Sequence, residues 1–442
     1  MGFLAKKARK DFTADSLFRR LHDNFDQIPD HRPAQPKISL GDALMSGFAM
    51  FSLKDPSLLA FDERREDPSD NFRNVYGINA VPSDTQMRTI LDPVDPGALR
   101  SCFTDIFRCL QRGKVLEDYA FFDGAYLVSL DGTTYHNSDN ICCSSCLVKR
   151  HRNQVVSYYH QLLGATIVHP DLKEVIPLAP EPIIKQDGCQ KNDCERNATR
   201  RWLKHFRADH PLLKIIVVED ALSSNAPHLR DLAEANANYI IGVKEGDHAF
   251  LFQKLREADD AGQTRHLTQV DAKDNVIRHY RWHLQVPLNE SQADCLVDVL
   301  EYWEIQANGN ILYFSWITDL PLTEQTVYDV MRGGRARWKI ENECFNTLKN
   351  QGYHLEHNYG HGQKNLSVVL VILLMLAFLV DQVQQRCCPL FQAARARHRT
   401  NRYFWERVRS LFEEHIFVSM AELLAALAQG RVRQKAILAD ST

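Results

Sequence analysis

A mixed α/β protein, with helical regions before and after a strand-containing middle, is what the sequence predicts. Three observations carry this. Residues 1–118 show helical spacing with no strand pattern, and from Tyr119 short apolar runs of strand length alternate with amphipathic helical patterns. Between about Gly246 and Leu322 the chain turns rich in β-formers, after which helical periodicity returns and continues through a helical region at 386–442.

The elements follow in order. "SLGDALMSGFAMFSL" has helical spacing after a Ser or Asp cap, and "DPVDPGALRSCFTDIFRCLQRG" opens after a Pro-rich turn. In the region 119–245, "YLVSLDG", "VSYYHQLLGATIVHP" and "EVIPLAPEPII" read as strands and "CERNATRRWLKHFRADHP" as a helix. "KIIVVEDALSSNAPHLRDLAEANANYIIGVKE" then gives strand, loop, helix and strand. The block 246–322, with "VIRHYRWHLQVPL", "CLVDVLEYWEI" and "ILYFSWITDL", reads as a β-rich insertion, and the core resumes over 323–385.

Length and composition bound the class. The chain of 442 residues with 44% hydrophobic content can bury a large core. A net charge of -3 gives no global attraction to nucleic acid or membrane, so a polyanion site must be local. Local cation runs stand at Lys6–Lys10, Lys149–Arg152, Arg332–Lys339 and Arg395–Arg402. Eleven cysteines without a secretory signal in "MGFLAKKARKDFTADSLFRR" point to a reducing cytoplasm. The apolar run Val368–Val380 falls short of the roughly 20 residues that span a bilayer and reads as a buried helix.

Chemistry concentrates in "RARWKIENECFNTLKNQ", Arg335–Gln351. At about 100° per residue Glu341 shares the apolar side of this helix with Ile340, Cys344 and Leu348, with Arg337 one turn earlier. Glu343 falls on the opposite side, with Asn346 and Thr347 expected in solvent. A carboxylate facing a core needs a partner: a buried ion pair with Arg337, or a metal. Asp131 and Asp220 each end an apolar, strand-like run, and functional groups of α/β sheets gather at the carboxyl ends of strands. Glu219 points the other way from Asp220, and Asp123 is a turn residue. Alone, each Asp reads more readily as a turn residue capping the next helix; together with Glu341 the carboxylates are hard oxygen donors suited to two Mg²⁺ ions.

The order "SLDGT", "VVEDALSS" and "RWKIENECFNTLK" resembles the insertion-sequence DDE transposases with an RNase H-like catalytic domain, in particular those with a β-strand insertion between the second Asp and the Glu. The resemblance spans roughly residues 120–385. It implies a two-metal enzyme of DNA cleavage and strand transfer with Asp131, Asp220 and Glu341 as catalytic residues and metal ligands, using Mg²⁺ or Mn²⁺. It also implies DNA partners (terminal inverted repeats and target DNA), a homodimer on DNA, a DNA-binding or dimerising N-terminal region, no membrane, and a cytoplasmic, nucleoid-associated location in a bacterial-type cell. Arg332, Arg335, Arg337, Lys339 and Lys349 are the expected DNA contacts. In the group's Tyr, Arg, Glu, Lys signature Arg337 keeps its spacing from Glu341. Gly334 takes the Tyr position, however, and Lys349 comes one residue late. Trp282, Trp303 and Trp316 read as core of the insertion, and the resemblance adds that an aromatic there stacks on a flipped base. A stand-alone nuclease of the same fold and a catalytically idle DNA-binding derivative are the alternatives, and an intact triad argues against the second.

Cys143 and Cys146 have zinc-ligand spacing, with His151 nearby and Cys189 and Cys194 further along. Buried reduced thiols are the simpler expectation for them. His136 is expected as a polar residue beside the acidic site.

Overall fold

The computed structural model describes residues 10–33, 36–66, 70–152, 155–185, 194–271 and 275–430. Among the described residues the region before the sheet holds the helices α1 (Ala14–Asp26), α2 (Leu40–Leu53), α3 (Leu58–Arg65), α4 (Asn71–Tyr76), α5 (Asp84–Leu91) and α6 (Arg100–Arg112). Their starts are chemically marked. Ser39 Oγ accepts the Asp42 N–H at 2.9 Å to open α2, and Ser83 with Gln86 forms a capping box on α5.

Strands β1 (Tyr126–Ser138), β2 (Leu147–Arg150), β3 (Val156–Val168), β4 (Ile176–Pro177) and β5 (Glu181–Ile183) follow. After helix α7 (Glu195–Asp209) come β6 (Ile215–Glu219), α8 (Ala226–Glu234) and β7 (Asn238–Gly242). β1 pairs antiparallel with β3, and β3 with the short β4 and β5. On its other side β1 runs parallel to β6, and β6 parallel to β7. Three antiparallel strands continued by two parallel ones joined through helices are the RNase H-like sheet, and the fold is mixed α/β.

Two details depart from the sequence reading. β1 does not end at Asp131 but continues to Ser138, because pairing with β3 holds the polar residues of "DGTTYHNS" in a strand their composition disguises. The β-rich segment opens with a helix, α9 (Ala249–Asp260), and its strands β8 (Arg265–Asp271), β9 (Val276–Asn289), β10 (Gln292–Ile305) and β11 (Ile311–Thr318) continue the main sheet. β11 pairs antiparallel with β7, giving the order β2-β3-β1-β6-β7-β11-β10-β9-β8.

The chain then returns through α10 (Val327–Ala336), a π-helical turn (Ile340–Phe345) and α11 (Asn346–Asn350). Helix α12 (Leu366–Cys387) is apolar all round and long enough to cross a membrane by length and composition, yet 94% of its most apolar window is buried inside the fold. It is covered largely by α2: a side chain at Gly47 would stand 2.8 Å from Leu373 Cδ1, so glycine permits the close crossing. Helices α13 (Pro389–Ala396), α14 (Asn401–Glu414) and α15 (Met420–Gln429) close the structure. The first and last helices are tied together, since the Asp15 carboxylate accepts the N–H groups of Met420 and Ala421 at the start of α15.

Candidate nucleic-acid processing site

The two aspartates are brought together by strand register. Ser129 pairs with Val218 in the parallel β1–β6 ladder, and continuing that register two positions sets Asp131 level with Asp220 on the neighbouring chain segment. Asp220 caps the turn after β6, its Oδ1 accepting the Leu222 N–H at 2.9 Å. Glu219 points away, as alternation requires, and its buried carboxylate meets His228 Nε2 of α8 at 2.5 Å.

Glu341 arrives from the π turn. Asp131 lies opposite Gly164 in the β1–β3 pairing, and a side chain at Gly164 would stand 2.7 Å from the Phe345 ring and 3.5 Å from Ile340 Cδ1. The glycine opens a seat for the apolar side of the turn, which carries Glu341 to the sheet beside Asp131. Ser129 Oγ donates to the Arg337 carbonyl at 3.1 Å and fixes the same segment from β1. Arg337 Nη1 is 2.7 Å from Glu341 Oε1 and 3.9 Å from Asp131 Oδ2, so one guanidinium lies between two of the carboxylates.

The turn is π rather than α, and this changes the phase expected for its far end. Thr347 is buried, not solvated, because the wider turn rotates the residues after it; Asn346 is exposed and Glu343 half-buried.

A fourth carboxylate, with no motif to announce it, belongs to this edge. Glu195 begins α7, and a side chain built at Gly132 would meet its Oε1. Burial, then the charges of Asp220 and Glu219, push the Glu195 pKa up. Burial first and the Glu341 charge second raise the Asp131 carboxyl to about 7, with Arg337 opposing them. The cluster is therefore short of positive charge, and its donors are all oxygens of the kind hard divalent ions take. Its carboxylates are spread more widely than a single closed ion site. Among the described residues the only set of His, Cys, Asp or Glu ligand atoms all within 4.8 Å is Cys143, Cys146, His160 and His361.

The expected DNA contacts are held in ion pairs and hydrogen bonds. Arg332 meets Asp171 at 2.6 Å, Arg335 meets Glu304 at 2.7 Å, and Lys349 meets Glu356 at 2.9 Å. Lys339 Nζ donates to the Leu172 carbonyl at 2.7 Å. Gly334 is explained by packing: a side chain there would come within 2.5 Å of the Trp316 indole, so a tyrosine does not fit.

Trp282 and Trp316 are buried, the strand alternation turning both inward, which removes them as stacking surfaces. Trp303 is half-buried under Arg281, whose guanidinium lies 5.2 Å from its ring. The exposed tryptophan is Trp338, between Arg337 and Lys339, with the Arg337 guanidinium 4.6 Å from its ring. Of the other cation runs, Lys149, Arg150 and Arg152 are exposed at edge strand β2, while most of Lys6–Lys10 lies outside the described residues.

An RNase H-like sheet with acidic residues gathered where the parallel pairing of β1 with β6 stops is a layout suited to a nucleic-acid-cleaving enzyme. Residues 180–379 match the family described as the Transposase DDE domain, a segment that contains Asp220 and Glu341 and starts after Asp131. That match, over somewhat less than half of the chain, supports a likeness to the insertion-sequence DDE transposases. The family depends on divalent metal and acts on DNA. No curated protein matches. Among solved structures, the NurA nuclease from Sulfolobus solfataricus aligns at 13% identity over 53% of this chain and 82% of its own, with a TM-score of 0.22, too slight a likeness to bear on the reading.

Proposed function

We propose that this protein cleaves DNA at the ends of an insertion sequence and joins the freed ends to target DNA, with Asp131, Asp220 and Glu341 as the catalytic acids. The observation that supports this most directly is the convergence of β1, the end of β6 and the π turn on one point of the sheet. The three carboxylates would hold two Mg²⁺ ions, for which Mn²⁺ can substitute. When bound, such ions activate the attacking oxygen and stabilise the leaving one. The chain's own residues do the positioning. Arg337 holds Glu341 in place and is the nearest cation to a phosphate entering the cluster, while Arg332, Arg335, Lys339 and Lys349 would exchange their intramolecular partners for phosphates along the DNA path. The N-terminal helical region would bind DNA or dimerise, the protein working as a homodimer on paired inverted repeats beside the nucleoid.

The test is cleavage and joining of labelled element-end DNA with Mg²⁺. The wild-type protein should do both, and excess chelator should stop both. Asp131→Asn and Asp220→Asn should bind ends and leave them uncut. Cutting without joining under every condition would instead make the protein a stand-alone nuclease.

A further inference from the structure

Away from the acidic cluster, three distant chain segments bring four metal-binding side chains to one point. Cys143 and Cys146 lie in the loop after β1, His160 in β3, and His361 in the loop between α11 and α12. Cys143 Sγ is 3.8 Å from Cys146 Sγ and 3.5 Å from His160 Nε2. Cys146 Sγ is 3.1 Å from His160 Nε2 and 3.4 Å from His361 Nε2. We propose that Cys143, Cys146, His160 and His361 form a structural zinc site that clamps the Asp131 hairpin to the segment following the Glu341 helix.

The geometry supports this in three ways. A tetrahedral zinc ion bound about 2.3 Å from sulfur and about 2.0–2.1 Å from nitrogen sets its ligand atoms roughly 3.3–3.8 Å apart, close to the four separations just given, and all four atoms lie within 4.8 Å of one another. The two cysteines adopt a tight turn in which the Cys146 N–H donates to the Cys143 carbonyl at 3.3 Å and the Cys143 N–H points at Cys146 Sγ at 3.4 Å, a donor suited to a thiolate. Finally, Cys146, His160 and His361 are buried, and both imidazoles present Nε2 to the sulfurs. A plain pair of reduced thiols, or a disulfide, gives no reason for two histidines to converge on the sulfurs.

The fourth ligand is held ready by its loop. The Asp92 carboxylate accepts the N–H groups of Gln363, Lys364 and Leu366, pinning the chain just after His361 at the start of α12. Four protein ligands close the coordination sphere, so the site has no open position for substrate, and mixed sulfur and nitrogen donors favour zinc over the hard ions suited to the carboxylates. His136 lies against His361, the rings tilted by 35° with centroids 4.3 Å apart, but is not within the ligand set. Of the partners the sequence suggested, His151 is exposed and bonds Ser157, Cys194 is exposed at the start of α7, and Cys189 lies outside the described residues.

The experiment is elemental analysis of the full-length protein purified without added metal, with thiol state read by mass spectrometry. About one zinc per chain is expected, lost in Cys143→Ser and His361→Ala and kept in His136→Ala. Cobalt exchanged into the wild-type protein should give the absorption of a tetrahedral thiolate site. Wild-type protein free of zinc, with Cys143 and Cys146 either joined or as ordinary thiols, would overturn the proposal, as would zinc that survives in both ligand variants. The readout is independent of DNA cleavage and stands whether or not the acidic triad is correctly assigned.

Discussion

Gly164 stands directly across the β1–β3 ladder from Asp131, and the Phe345 ring fills the space its missing side chain leaves. The pairing couples a strand position to the seating of the turn that carries Glu341. Gly164→Val should therefore lift the turn off the sheet. We expect cleavage of element ends to be lost while the protein remains folded, with a stability cost of about 1–3 kcal/mol, the usual range for overpacking. Denaturant titration and a cleavage assay on the same preparation check this; a Gly164→Val protein that cuts normally would refute the seat.

Two glutamates compete for one role in the π turn. Arg337 contacts Glu341, while Glu343 carries no contact with Asp131 among those described. Glu341→Gln should abolish cleavage without unfolding the protein, and Glu343→Gln should retain activity within a few-fold. An active Glu341→Gln beside a dead Glu343→Gln would reverse the assignment.

Asp131 makes a prediction about pH. Burial and the Glu341 charge raise its carboxyl to about 7, above its unfolded value, so its contribution to stability is present at low pH and is lost as pH rises through about 7. Replacing it with Asn removes that loss. Asp131→Asn should melt a few degrees higher than wild type near pH 8 without divalent metal, and the gap should narrow toward pH 5. Metal-supported cleavage by wild type should decline as pH falls below about 7, because a protonated carboxyl is a poor ligand. Differential scanning calorimetry across pH measures the first, and initial cleavage rates the second.

The helical layer rests on a buried ion pair. Lys54 Nζ is 2.7 Å from Asp381 Oδ2 and 3.1 Å from the Ser52 carbonyl, with the Tyr353 and Trp405 rings 4.2 and 4.0 Å away. Tyr353 OH also donates to Asp381 at 2.5 Å. Lys54→Met leaves Asp381 buried without its cation and should cost about 3–5 kcal/mol. The double variant Lys54→Met, Asp381→Leu should recover most of that in chemical denaturation, and a double variant no more stable than the single one would show that the pair is not the source of the loss.

The mixed α/β class, the place of Asp220 just after β6 and that of Arg337 one turn before Glu341 were legible because alternation and helical periodicity are local signals. What escaped was set by contacts distant in sequence. Glu195 has no motif and reaches the acidic edge only because α7 begins beside Gly132. His160 looks like any strand residue, and His361 lies 215 positions from Cys146. The π turn carries no compositional mark, so an α-helical phase misplaced Thr347. Gly334, a departure from the signature in sequence, became intelligible once Trp316 was seen to occupy the space above it.

The pairing of β11 with β7 ties the β-rich segment to the stability of the central sheet. Strands β8–β11 do not fold beside the central sheet but prolong it, so β7 has no free edge on that side. Excising the segment would bare a row of unpaired N–H and C=O groups on a strand whose middle residues, Tyr239 to Ile241, are buried. Such an edge invites pairing between chains and aggregation. Strands β8–β11 are thus not a removable module, because without them the same flank would need some other cover.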